Sequence, residues 1–394
     1  MTWNTTACTA TDPGPANIID LQYNFGLGAG DNGNVIGITN NCDTTRSQAF
    51  SYDALNRLLT AETTSTYSTS PAHCWGEAYF YDNQPSGSGA WGNLTSIGAA
   101  SSSYNGCTQE GLSVTATTNN QISGFCYDAA GNLLQESTCP AGPPYTYTYN
   151  AEHQVTSTGG VTYSYDGDGK RIEKSGGKIY WYGGGSTPLD ETDLSGDTNN
   201  STFSEYVYFG GSRTSRRDYQ GNIFYYFADH LGTSREMVQS GQTSPCYDAD
   251  FYPFGVERAY TTTCTQNYKF TSKERDSESN LDNFGARYNS SSMGRFMSPD
   301  PLGGRMINPQ SLNKYAYVTN NPLNYIDPTG LYECKDSKKC DSDQDKAFEA
   351  ARKQDLKSKD PNVVRGAKAY GDPNTDNGTT VQFGDPGKGK TATR

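Results

Sequence analysis

The chain has 394 residues, a formal net charge of −12 and only 33% hydrophobic residues, with 43 Gly and 29 Tyr. This acidity argues against nucleic acid as a partner of the whole chain, and the composition against a compact helical core. Tyr, Thr and Val favour strands, while Gly, Asn, Asp and Ser favour turns, so the composition predicts one large all-β body of many short strands.

The first 20 residues lack a basic-then-apolar leader, and no apolar run approaches the ~20 residues a membrane helix needs. The opening Met1-Thr2-Trp3-Asn4 runs at once into repeat-like sequence, so the chain is expected to begin partway through a longer architecture.

A repeat built on Tyr-Asp follows. Ser51-Tyr52-Asp53 through Leu58 is one copy. Phe80-Tyr81-Asp82 with Gly92-Asn93-Leu94 is another, and Cys126-Tyr127-Asp128 through Leu134 a third. Tyr149-Asn150 and Tyr165-Asp166 through Ile172 continue the series, and Tyr23 with Gly33-Asn34-Val35 is a degenerate first copy. Each copy reads as strand, polar turn, strand, which is a hairpin signature. A lone hairpin is unstable, so neighbours must join into a long sheet. The Asp is expected to accept hydrogen bonds from the turn backbone. Beyond residue 220 the β character persists with less regular spacing. Asp229-His230 invites a catalytic reading, but a turn after the aromatic strand is the preferred one, since no nucleophile motif accompanies it.

Two Asp-Pro steps, Asp300-Pro301 and Asp327-Pro328, present carboxylates from stiff backbone. Paired carboxylates can share a proton and act as acid and base on a peptide bond. Either step could equally be a structural turn opener.

Residues 332–394 change character, carrying 13 Lys and Arg against 11 Asp and Glu, so the acidity belongs to the body. Ser342-Asp343-Gln344-Asp345 can cap a helix with a thin stripe of Ala347, Phe348, Ala350, Ala351 and Leu356. The segment holds no His and only Cys334 and Cys340, which argues against His-based nuclease or triad chemistry. Ten scattered Cys without a C-x-x-C pair, and three His, argue against a structural zinc site, and no metal or other cofactor is expected. Disulfides are compatible with export. Their pairing cannot be read from spacing, Cys334 and Cys340 being the closest two.

These segments together resemble the Rhs/YD-repeat family and its Rhs-repeat-associated core domain. The Tyr-Asp copies resemble its YD repeats. The core is resembled by Asp229–Gly232, Tyr252-Pro253-Phe254-Gly255, Phe270–Asp276, Phe284–Tyr288, Gly294–Pro301 and Asn313–Leu331. The stretch Pro322-x-x-x-x-Asp327-Pro328-x-Gly330-Leu331 matches the family's terminal motif at every fixed position. Ser272 stands where the family commonly has Gly, and Asn289 where it commonly has Asp.

The resemblance implies a sheet spiralling into a hollow shell over residues 1–220, an inward-curling core domain over 221–331, and a variable tail over 332–394 as toxin cargo. It implies a single cut between Leu331 and Tyr332 by Asp300 and Asp327, supported by Arg287, with Gly330 letting the chain turn toward the pair. It also implies a secreted or cell-surface protein, delivered by a secretion apparatus and matched by an immunity protein. A non-enzymatic surface or structural protein carrying a relic motif is the alternative.

Overall fold

The computed structural model describes residues 18–26, 32–82, 91–183, 186–302, 304 and 308–334. In the tail it describes positions 353, 356, 357, 359, 361 and 364 and the strands 380–383 and 390–393. The body is all-β. Seven strands from Leu21–Asn24 to Leu112–Ser113 form one sheet, and twelve from Tyr147–Tyr149 to Glu257–Thr262 form a second. In both, spatial order equals chain order and every pair is antiparallel, as successive hairpins require. The second sheet runs through residue 220 without a break. A four-stranded sheet from Glu274–Arg275 to Arg295–Phe296 follows.

The repeat has a physical basis at both of its named residues. Oδ1 of Asp128 accepts from the amides of Ala130 and Asn132 at 2.9 and 2.8 Å. Asp53, Asp166 and Asp218 close their turns with the same two bonds. Asp229 does so as well, at Leu231 and Thr233, which makes the Asp229-His230 step a repeat turn. The Tyr sits where the register slips by one residue, at Ser51/Tyr52, Thr148/Tyr149, Ser164/Tyr165 and Val207/Tyr208. Such a bulge adds twist and re-aims the side chain. The Tyr52 hydroxyl accordingly donates to the Val35 carbonyl at 2.8 Å, Tyr149 to Leu133 at 2.9 Å and Tyr165 to Val155 at 2.6 Å. Each tyrosine thus ties its hairpin to an earlier stretch of chain.

The inner faces of the two sheets close on the segment 270–323. Phe50, Tyr79 and Leu94 from the first sheet, with Trp75 just before the strand Gly76–Tyr81, share one core with Met237, Tyr247 and Phe251 from the second. Phe270, Phe284, Phe296 and Tyr317 fill the space between. The last three pack edge to face, with centroids 5.5–5.9 Å apart. Burial of each such ring is worth roughly 1.5–3 kcal/mol. Arg171, reaching in from the second sheet, meets Asp276 at 2.6 Å and Glu274 at 2.7 Å. All three are buried, and a charge so placed survives only when paired.

Three disulfides brace the hairpins: Cys74–Cys107, Cys126–Cys139 and Cys246–Cys264. Cys42 and Cys334 are also disulfide-bonded. Of the helix expected after Ser342, most lies outside the described residues; Lys353 within it is helical and Leu356 lies in a turn. Further on, Thr380–Phe383 pairs antiparallel with Lys390–Thr393.

Candidate functional site

The segment after Asn321 turns through buried Pro322 into Ile326. There the Ile326 amide donates to the Cys334 carbonyl at 2.8 Å, and the Cys334 amide returns the bond at 2.6 Å. This pair ties off a loop of residues 327–333 that contains the Leu331-Tyr332 bond. Asp327, 3% exposed, organises the loop from within. Its Oδ1 accepts from the amides of Thr329, Gly330, Leu331 and Tyr332 at 3.1, 2.7, 3.0 and 3.3 Å. Pro328, half-buried, stiffens the step into this turn. Gly330 has φ +80°, and a Cβ there would lie 2.9 Å from the Arg287 backbone nitrogen. The turn therefore needs glycine both for its conformation and for its close approach.

Arg287 joins the two halves of the site. Its Nη2 lies 3.3 Å from Oδ2 of Asp300 and 3.4 Å from Oδ2 of Asp327. Its Nε donates to the Gly330 carbonyl and its Nη1 to the Lys314 carbonyl at 3.1 Å. The guanidinium lies over the Phe296 ring, 3.7 Å from the centroid, so the aromatic core is the platform of the site. Asp300 is anchored by its own amide on the Lys314 carbonyl and by Oδ1, which accepts from the Leu302 amide at 2.8 Å. Leu302 packs on Leu331, with Ala286 and Tyr332 alongside, which sets the Asp300 turn against the expected cut.

Burial pushes the Asp300 carboxyl up to about 6, with Arg287 opposing and Asp327 adding to the rise. Burial also raises Asp327, against Arg287 and the amides it accepts from. Two carboxylates on one guanidinium nitrogen, both biased toward holding a proton, make a coupled pair.

The structure thus brings together Arg287, Asp300, Asp327, Pro328, Gly330, Leu331 and Tyr332. Pro322 shapes the approach to them. Sequence reasoning missed three further neighbours. Lys273 donates to the Pro328 carbonyl at 2.5 Å. Oε2 of Glu333 accepts from the Thr319 hydroxyl at 2.9 Å. Cys334, wholly buried, packs with Leu231 and Ile326. By composition Glu333 and Cys334 belong to the tail, yet they are built into the body. Ser272 has φ +62°, which explains the glycine common at that position in the family. Asn289, fully buried, has neither side-chain amide atom paired. Among the described residues no cluster of three or more His, Cys, Asp or Glu is placed to hold a metal, and no helix is long and apolar enough to cross a membrane.

A meander of Tyr-Asp hairpins wrapped on an aromatic inner segment, ending in a carboxylate pair, defines a class of repeat-built β-shell protein. The RHS Repeat family model matches residues 127–160. The chain is 30% identical over 217 residues to the tRNA3(Ser)-specific nuclease WapA of Bacillus spizizenii, covering 52% of this chain and 9% of that protein. It is 32% identical over 108 residues to toxin subunit YenC2 of Yersinia entomophaga, covering 26% of this chain and 11% of that one. Its fold matches a chain of the Photorhabdus luminescens Tc holotoxin pore with a TM-score of 0.59, at 20% identity over 80% of this chain and 17% of that one. The chain carries RHS repeat sequence and is similar to Rhs/YD-repeat proteins in sequence and fold, and it spans about a tenth of the length of the curated relatives named here.

Proposed function

We propose that this chain is the shell-and-core part of a toxin that cuts itself once, after Leu331, and so frees residues 332–394 as an effector. The observation that carries this reading is Arg287 bridging Asp300 and Asp327, with Asp327 also at the Tyr332 amide. The ionised carboxylate takes a proton from water, and the oxygen attacks the Leu331 carbonyl carbon. The protonated partner gives its proton to the Tyr332 nitrogen as the C–N bond breaks, leaving a Leu331 carboxylic acid, which then ionises to solvent, and a Tyr332 amine. Asp327 is the member within reach of that nitrogen. Arg287 balances charge at the pair, and its grip on the Gly330 carbonyl holds the bond in register. The substrate is tethered, so a modest catalyst suffices for one turnover.

Secretion or surface display, a delivery apparatus and an immunity protein for the effector complete the proposal, with the tail itself as the shell's cargo. Intact-mass spectrometry of the expressed chain, with N-terminal sequencing of the smaller fragment, tests it. Two fragments with a Tyr332 start are expected. A single uncut chain, or cutting that persists in both Asp300→Asn and Asp327→Asn, overturns it. A second reading, a structural shell with an inactive motif, draws on Glu333 and Cys334, whose seating in the body needs no cut. An intact wild-type mass selects it.

A further inference from the structure

The site holds its substrate by two carbonyl groups on the N-terminal side of the expected cut. Arg287 takes Gly330, and Lys273 takes Pro328 at 2.5 Å. Lys273 comes from a different part of the fold, the turn after Phe270–Ser272, where Thr271 and Ser272 both have positive φ, +44° and +62°. A residue other than glycine in that region is strained and persists only where the surroundings hold it. Two such residues in succession deliver the lysine into the core domain. Its ammonium lies 5.3 Å from the Phe284 ring centroid, and Phe284 is part of the aromatic platform under Arg287. The Arg213 guanidinium donates to the neighbouring Ser272 hydroxyl at 3.2 Å, so a second cation stands behind the turn.

We propose that Lys273 is a positioning residue for the self-cleavage reaction. It holds the Pro328 carbonyl so that the Asp327 turn, and the Leu331-Tyr332 bond beyond it, stand in cutting register. This rests on the reading of Asp300 and Asp327 as the cleaving pair. The hydrogen bond fixes the peptide that follows Asp327, and the ammonium interacts electrostatically with the Asp327 carboxylate. A neutral side chain of the same length loses both effects, whereas arginine keeps the charge and a donor. Burial lowers the Lys273 ammonium to about 8, with Asp327 opposing and Arg213 adding to the fall. The charge is thus lost in mildly alkaline solution. Arginine at this position stays charged throughout that range.

The test uses the full chain, purified unfolded and uncut in denaturant, then refolded by dilution at pH 5–9 in a thiol–disulfide buffer. The uncut fraction is followed on gels. Lys273→Met is expected to cut at least ~10-fold more slowly at pH 7, with circular dichroism like that of wild type. Wild type is expected to slow near pH 8, and Lys273→Arg is expected to cut at pH 7 and to lose that fall in rate. Folded Lys273→Met cutting at the wild-type rate overturns the proposal. If the methionine variant does not fold, the arginine variant decides: an alkaline limb unmoved from wild type overturns it. Asp300→Asn and Asp327→Asn are run alongside. Cutting by both of them removes the reading of the dyad, whereas loss of cutting in both with an indifferent Lys273 removes only the positioning role.

Discussion

Oδ1 of Asp327 lies 3.3 Å from the amide nitrogen of Tyr332, so a side chain near the middle of the terminal motif touches the peptide bond just past its end. The same oxygen serves the three preceding amides. The residue is therefore both the scaffold of the loop and a candidate proton carrier, and these roles separate in one variant. Asp327→Asn keeps an Oδ1 acceptor for the four amides and loses the titratable proton. The expected product is a folded chain of intact mass, 42.8 kDa, with thermal unfolding close to wild type.

Asp300 gives a prediction in pH. Its folded carboxyl is raised from 3.8 to about 6, first by burial, so between those values the folded state binds a proton that the unfolded state has released. Stability therefore falls as pH rises through this window, and the penalty is present in full above about 6. In an uncut Asp327→Asn background, adding Asp300→Asn is expected to raise unfolding stability by about 1–2 kcal/mol at pH 8, discounted for the partial exposure of the side chain. The gain is expected to vanish near pH 4. Urea unfolding at the two pH values checks it; an equal effect at both contradicts the assigned shift.

Gly330→Ala tests the loop geometry. The added methyl meets the Arg287 backbone at 2.9 Å, and φ +80° is costly for alanine. Relief requires the loop to move away from Arg287, which breaks the grip on the Gly330 carbonyl. Cutting is expected to fall at least ~100-fold, and stability by about 1–3 kcal/mol. Refolding kinetics and thermal melts read the two separately.

The sequence exposed some of this and hid the rest for identifiable reasons. The Tyr-Asp hairpins were legible because the turn bonds of Asp128 or Asp166 are local, spanning two and four residues. Asp300, Asp327 and Arg287 were legible through the ordered family block, since spacing alone leaves two Asp-Pro steps as ordinary turns. Lys273 was not, because its route to Pro328 depends on left-handed Thr271 and Ser272, a conformation that composition does not announce. Nor was the seating of Cys334, which sits in a charged, Lys-rich stretch yet pairs with Ile326 through the backbone. The tyrosine hydroxyls were hidden for a third reason. Their carbonyl partners lie on earlier stretches of chain and are set by the one-residue bulge at each Tyr, which alternation along a single strand does not reveal.

Those hydroxyls support the last prediction. Tyr149 reaches Leu133, the residue after Asn132, and Asn132 is held by both carboxylate oxygens of Asp128. The two signature residues of adjacent repeats therefore converge on one short stretch of chain. Tyr149→Phe removes a single hydrogen bond and is expected to cost about 1 kcal/mol. Asp128→Ala leaves the Ala130 and Asn132 amides without their acceptor and is expected to cost about 1–2 kcal/mol. Because Leu133 can shift once either restraint is gone, the double variant should cost less than the two singles together, by at least about 0.5 kcal/mol. Denaturant midpoints of the four proteins at constant m-value measure the difference. Strict additivity contradicts mutual support between neighbouring repeats and leaves each hairpin to be stabilised on its own.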